Sequence, residues 1–168
     1  MHESSTPSNN LHDRWVAVEV INHTERPVDE TLLTSAARRV LKEFGVCRAQ
    51  IAIAVVTDRE ITRLHSQYLG QDSPTDVMTF PLSDAEADEL CGDIVVSLDT
   101  AEREAIARGV QVPGELALYA IHGALHLVGL DDQTDQGAAE MRRWERSVLE
   151  SLGYRYVFED SPSSRELA

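Results

Sequence analysis

His122 and His126 stand four positions apart in His122-Gly123-Ala124-Leu125-His126-Leu127-Val128-Gly129-Leu130-Asp131-Asp132. On a helix this spacing puts both imidazoles on one face, a turn apart. Gly129 follows where a helix would end, and Asp131 and Asp132 arrive where the chain can turn back. Two imidazoles on a helical face, a glycine at the bend and a carboxylate after it predict a metal site. Either histidine alone on an apolar helix would read as a core residue with one hydrogen-bond partner. Together they face the same way, each unpaired buried polar group costs about 1–3 kcal/mol, and one shared cation satisfies both.

Zinc is the expected metal, one ion per chain, because it takes imidazole nitrogen and carboxylate oxygen in tetrahedral geometry. With His122, His126 and Asp132 as protein ligands, the fourth position is left for a water that becomes the nucleophile. The same donors suit another divalent metal, iron included. Zinc peptidases of the HExxH type carry a glutamate general base directly after the first histidine, and here that residue is Gly123. Ligands without that base weaken the case for peptide hydrolysis and favour phosphodiester cleavage, which needs the base less strictly.

The segment opening at Pro113 is apolar nearly all round, with Leu116, Leu118, Tyr119, Ile121, Leu125 and Leu127. That predicts a buried central helix carrying the site. Ahead of it, strands are predicted at Trp15–Ile21, Gln50–Val56, Val77–Pro81 and Gly92–Leu98. Helices are expected to open at Pro27 or Asp29, at Thr57 or Asp58, and at Asp99 or Thr100. A last helix is expected from Thr134 or Asp135 to Leu152, with Met141, Trp144, Val148 and Leu149 as its core stripe, and Tyr154–Phe158 alternates like a short added strand. The order β-α-β-α-β-β-α-α-α predicts an α+β (α/β-like) fold. Its core would be a single mixed, mostly parallel four-stranded sheet with about five helices, and the metal site would lie at the end of the buried central helix.

A chain of 168 residues is expected to form one domain, here over residues 14–158, between Ser-, Pro-, Asn- and acid-rich tails at 1–13 and 159–168 expected to be disordered. With 29 acidic against 15 basic residues, the net charge of −14 argues against a broad electrostatic grip on nucleic acid, leaving room for a local patch or a bound cation. The only cysteines, Cys47 and Cys91, form no CxxC pattern, which fits a reducing compartment. The polar start is unlike a signal peptide, and no apolar run reaches the roughly 18 residues of a membrane span, so a cytoplasmic location without a membrane partner is expected.

The central stretch resembles the HGxLHLxGYDH signature of the YbeY family of bacterial endoribonucleases. Pro74-Thr75-Asp76-Val77-Met78-Thr79-Phe80-Pro81 is similar to that family's PTDVLSFP, Gly92-Asp93-Ile94-Val95-Val96-Ser97 to its GDIVIS, and Met141 and Glu145 match its last helix. The resemblance runs from about Trp15 to Tyr154. It implies a zinc-dependent, single-strand-specific endoribonuclease acting in rRNA (16S 3′-end) maturation and ribosome quality control. The implied partners are rRNA, the small ribosomal subunit and single-stranded RNA, with no DNA. His122 and His126 match the first two zinc-binding histidines of the family, while the third is Asp132 here; Asp131 matches the family's own aspartate. Leu69 replaces an arginine that usually follows the tyrosine matching Tyr68, Gln71 replaces a basic residue, and His65 stands where asparagine is common.

Asp93 and Asp76 are candidate catalytic helpers, and both are also residue types that cap strands and turns. His65, Tyr68 and Thr75 are candidate substrate-binding residues. Two other readings are a zinc metallopeptidase using a different base, and a non-catalytic, metal-stabilised ribosome-associated protein, which the replacements at Leu69 and Asp132 favour.

Overall fold

A computed structural model describes residues 14–158, so both expected tails lie outside the described residues. The elements are β1 (Trp15–Asn22), α1 (Glu30–Glu43), β2 (Arg48–Val56), α2 (Asp58–Leu69), β3 (Val77–Pro81), β4 (Leu90–Ser97), α3 (Leu98–Arg108), α4 (Val112–Leu127) and α5 (Asp135–Ser151). The strands lie in the order β1-β2-β4-β3. β1, β2 and β4 run parallel, with Ile53 opposite Ile94, and β3 runs antiparallel along β4 with Thr79 opposite Ile94. This is the α+β fold with a mixed, mostly parallel four-stranded sheet and five helices that the element order predicts.

Alternation along the strands assigns the two faces of the sheet. Ile51, Ile53 and Val55 of β2 and Ile94 and Val96 of β4 join the large core with α1 and α4. Val56, Met78 and Val95 point the other way and form a smaller cluster with Ile61 of α2. β3 is therefore an edge strand with α4 toward one face and α2 toward the other. Pro81 closes that strand at its end, where its missing N–H costs no ladder bond.

α4 is central, as its composition predicts. From Gly114 to Leu127 every residue is buried except His122 and His126. Glu115, the one acid in that run, is held by Arg108 at 2.8 Å. Close approach to the sheet depends on glycines: a Cβ on Gly123 would lie 2.6 Å from Cγ2 of Ile94, and one on Gly92 would lie 2.5 Å from a methyl of Leu127.

The structure differs from the expectation in three places. α3 is capped by Ser97, which accepts a hydrogen bond from the Thr100 N–H, rather than by Asp99 or Thr100. The Asp99 carboxylate instead accepts from the Asp58 backbone N–H and pairs with Arg26. Residues 154–158 form no strand: they pass over α4 and α5 without regular structure, and their alternating side chains are spent on those helices. On α5, Glu145 is buried with Met141, Val148 and Leu149, while Trp144 is half-buried against Phe44, ring centroids 4.8 Å apart.

Candidate metal centre

α4 ends at Leu127, and Gly129, at φ 105°, reverses the chain in a conformation that favours glycine. The Leu130 N–H donates back to the Leu125 carbonyl at 3.0 Å. Asp131 then makes a tight turn, its Oδ1 accepting from the Gln133 N–H at 2.9 Å. Thr134 caps α5 by accepting from the Gly137 N–H at 3.0 Å. Gly137 has a second task, because a Cβ there would sit 2.2 Å from the Asp131 carbonyl oxygen. Only a glycine lets the loop lie this close on the first turn of α5, and the loop carries Asp132 back over α4.

The result is a convergent donor set. Nε2 of His122 and Nε2 of His126 are 3.0 Å apart. The Asp132 carboxylate places Oδ2 3.7 Å from the first and Oδ1 3.8 Å from the second. Ligand atoms of a tetrahedral zinc ion, each about 2.0–2.2 Å from the metal, lie roughly 3.3–3.5 Å from one another. The three donors bracket that spacing, so His122, His126 and Asp132 form a cluster that can hold a metal ion.

Hydrogen bonding fixes how the imidazoles are protonated. Nδ1 of His126 is 3.0 Å from the Leu130 carbonyl oxygen, which only accepts, so Nδ1 carries the hydrogen. Nδ1 of His122 is 2.7 Å from Oε1 of the buried Glu145 carboxylate and donates to it in the same way. A hydrogen on each Nδ1 leaves the Nε2 lone pair of each neutral ring available, beside the Asp132 carboxylate. Three electron pairs aimed at one point are unfavourable without a cation. Burial pushes the His122 imidazole pKa down, but the hydrogen bond and charge of Glu145, then the charges of Asp76 and Asp132, raise it above its ordinary value. The field at this point favours positive charge, whether proton or metal.

A cleft of about 750 Å³ opens beside the histidines, along the edge strand β3 and the end of α2. It brings together the expected substrate-binding residues His65, Tyr68 and Thr75 with His122 and His126. His65 is buried, with Nδ1 2.8 Å from the Ser73 carbonyl oxygen. Tyr68 is 58% exposed and meets Phe80 edge to face at 5.1 Å, and Leu69 beside it is 62% exposed. Among the described residues, no lysine or arginine lines this cleft.

The two acidic helpers fare differently. Asp93 is paired with Ala52 and Phe80 and lines a hollow with Glu19 and Gln50, on the sheet face opposite α4. The structure does not bring it to the histidines. Alternation decides this, since Gly92 and Ile94 face α4 and the residue between them cannot. Asp76 is close enough for its charge to reach His122, yet its Oδ1 accepts from the Val77 N–H at 2.8 Å and from the Thr75 hydroxyl at 3.3 Å, so it caps β3.

Three contributors escape a reading of the motif alone: Glu145, Gly137 and Tyr156, whose hydroxyl donates to Oε2 of Glu145 at 2.9 Å. The signal for Glu145 was present, an acid at helical spacing among the apolar residues Met141, Val148 and Leu149. Gly137 and Tyr156 left no signal of that kind, because their roles depend on where a loop and a terminal segment cross helices.

A helix and loop that bring two histidines and a carboxylate together on a mixed sheet are the class these features define. The family described as Endoribonuclease YbeY matches residues 19–153. The chain is 42% identical over 135 residues to Endoribonuclease YbeY of Pelotomaculum thermopropionicum, spanning 74% of this chain and 89% of the relative. It is 38% identical over 144 residues to the protein of that name from Moorella thermoacetica, spanning 77% and 92%. A solution structure of TM1509 from Thermotoga maritima superposes with a TM-score of 0.60 at 27% identity, covering 81% of this chain and 89% of that one. The chain belongs to the YbeY endoribonuclease family.

Proposed function

We propose that this protein is a zinc-dependent endoribonuclease that cuts single-stranded RNA, with His122, His126 and Asp132 holding the metal. The observation that carries the reading is the approach of the two Nε2 atoms to 3.0 Å with the Asp132 carboxylate beside them. A bound zinc ion supplies Lewis acidity and an activated water at that point. The chain's own residues do the rest. Glu145 and the Leu130 carbonyl hold the two imidazoles in the tautomer that leaves Nε2 free. Tyr68, with Phe80 behind it, offers a ring face to an unpaired base, and Leu69 extends that apolar floor in place of the family arginine. Among the described residues no lysine or arginine lines the cleft, so a metal held here would supply positive charge for the scissile phosphate, which agrees with an acidic chain that grips RNA locally rather than along its backbone.

Gly123 supports this reading over a peptidase. A glutamate base at that position has no room, since even a Cβ would meet Ile94 at 2.6 Å. We extend the proposal to rRNA of the small ribosomal subunit as the substrate, in 16S 3′-end maturation and ribosome quality control, and to the cytoplasm as the working location, a reading that membership of an endoribonuclease family supports. The test is cleavage of an unstructured RNA by purified protein, by metal-stripped protein and by His126→Ala. Cleavage is expected only from the first, and cleavage that survives His126→Ala would overturn the proposal.

A further inference from the structure

The segment 154–158 follows α5 without regular structure and spends alternate side chains on the two helices of the metal centre. Tyr154 lies over the start of α4, where a Cβ on Gly114 would be 2.5 Å from its ring. The Tyr156 hydroxyl donates to Oε2 of Glu145 at 2.9 Å. The Arg146 guanidinium sits 5.3 Å from the Tyr156 ring centroid, and that of Arg142 sits 4.5 Å from the Phe158 ring. The segment is thus clamped along its length rather than merely trailing from α5.

Among the described residues, each oxygen of the buried Glu145 carboxylate has one hydrogen-bond partner. Oε1 faces Nδ1 of His122 at 2.7 Å, and Oε2 accepts from Tyr156. The terminal torsion of a glutamate is soft and broad, so a carboxylate held at one oxygen can turn. Held at both, its plane is set, and the ring that donates to it is set as well. Burial first, and then the charge of Glu145, push the Tyr156 hydroxyl pKa up, which keeps it a donor.

We propose that Tyr156 is a positioning residue for the metal centre: through Glu145 it fixes the His122 ring so that Nε2 stays aimed at Nε2 of His126 and at Asp132. The inference rests on the metal reading given above and goes beyond it, because Tyr156 lies past residue 153, where the family match ends.

The experiment uses the full-length chain. Zinc affinity is measured by competition with a chromogenic chelator, the visible ligand-field bands are recorded after cobalt(II) loading, and thermal melting of the metal-free protein is followed. The variants are Tyr156→Phe, which removes only the hydroxyl, Tyr154→Phe as a control on the same segment, and Glu145→Asp, which withdraws the carboxylate by one methylene. Tyr156→Phe is expected to weaken zinc binding about tenfold, the lower end for partners that orient a metal ligand, and to shift the cobalt bands. Tyr154→Phe is expected to leave both unchanged, and Glu145→Asp to weaken zinc binding more than Tyr156→Phe does. A merely structural tyrosine would lower the melting temperature of the metal-free protein without moving the cobalt bands, and that result would overturn the proposal. So would unchanged zinc affinity in Tyr156→Phe when Glu145→Asp is impaired. Failure of the unmodified chain to bind zinc would overturn the metal reading itself.

Discussion

Gly123 and Ile94 touch across the interface between α4 and β4 so closely that a single added carbon would collide: a Cβ at Gly123 falls 2.6 Å from Cγ2 of Ile94 and 3.2 Å from its Cγ1. The glycine between the histidine-bearing turns thus has a packing reason to be there, apart from the chemistry it withholds. Alanine in its place gains about 1 kcal/mol of helix propensity but forces α4 off the sheet, which typically costs 1–3 kcal/mol or more. Gly123→Ala is expected to lower stability to urea by about 1–2 kcal/mol net, and Ile94→Ala in the same chain to recover part of that loss. A Gly123→Ala protein as stable as the parent would contradict the packing described here.

Asp132 is the most exposed of the three donors, at 41% of its side chain. Asp132→Ala removes one ligand of three and is expected to weaken zinc binding by tenfold or more in a chelator competition. Asp132→His restores a donor without its negative charge, leaving more of the metal's charge uncompensated. It is expected to bind zinc more tightly than the parent and to move the onset of RNA cleavage to lower pH. Unaltered zinc affinity in Asp132→Ala would place this carboxylate outside the ligand set.

Tyr68 is the exposed aromatic of the cleft, and a base stacked on such a ring contributes about 1–3 kcal/mol. Tyr68→Ala is expected to raise KM for single-stranded RNA roughly ten- to a hundredfold while zinc affinity stays the same. Steady-state kinetics at saturating zinc check this, and an unchanged KM would remove the stacking floor from the account.

Asp58 links α2 to α3. Its carboxylate is opposed by burial but accepts hydrogen bonds from the Ser97 hydroxyl, from Arg103 and from the Thr100 hydroxyl, and the net effect lowers its pKa below the ordinary 3.8. An acid whose folded pKa is depressed stabilises the fold above its unfolded pKa, and that stabilisation is lost as pH falls through the folded value. The parent is therefore expected to lose stability from about pH 4 downward, and Asp58→Asn, less stable at neutral pH, to lose less over the same range. Melting curves from pH 7 to pH 2 measure the difference, and parallel curves would contradict the assignment.

The sheet, the five helices and the convergence of the two histidines are legible because their signals are local. Strand alternation, capping residues and the His122/His126 spacing each act within one or two turns of chain. The alternation over 154–158 is just as real, but it is satisfied by α4 and α5 instead of a strand, and no local pattern distinguishes the two. The position of Asp93 on the face opposite α4 has a related reason: a motif locates a residue along the chain, whereas the pleat decides which face it takes. Glu145 could be read as a buried acid, but its bond to His122 depends on how α5 crosses α4.

In the function proposed above, the His122–His126–Asp132 cluster holds a metal on which RNA cleavage depends. The most direct measurement follows cleavage of a fluorescently labelled, unstructured RNA by protein stripped with a chelator, during titration with zinc. Activity is predicted to be absent from the stripped protein, to rise with zinc to a plateau at one ion per chain, and to remain absent in His126→Ala at every zinc concentration. Cleavage by the fully stripped protein, or by zinc-loaded His126→Ala, would contradict it.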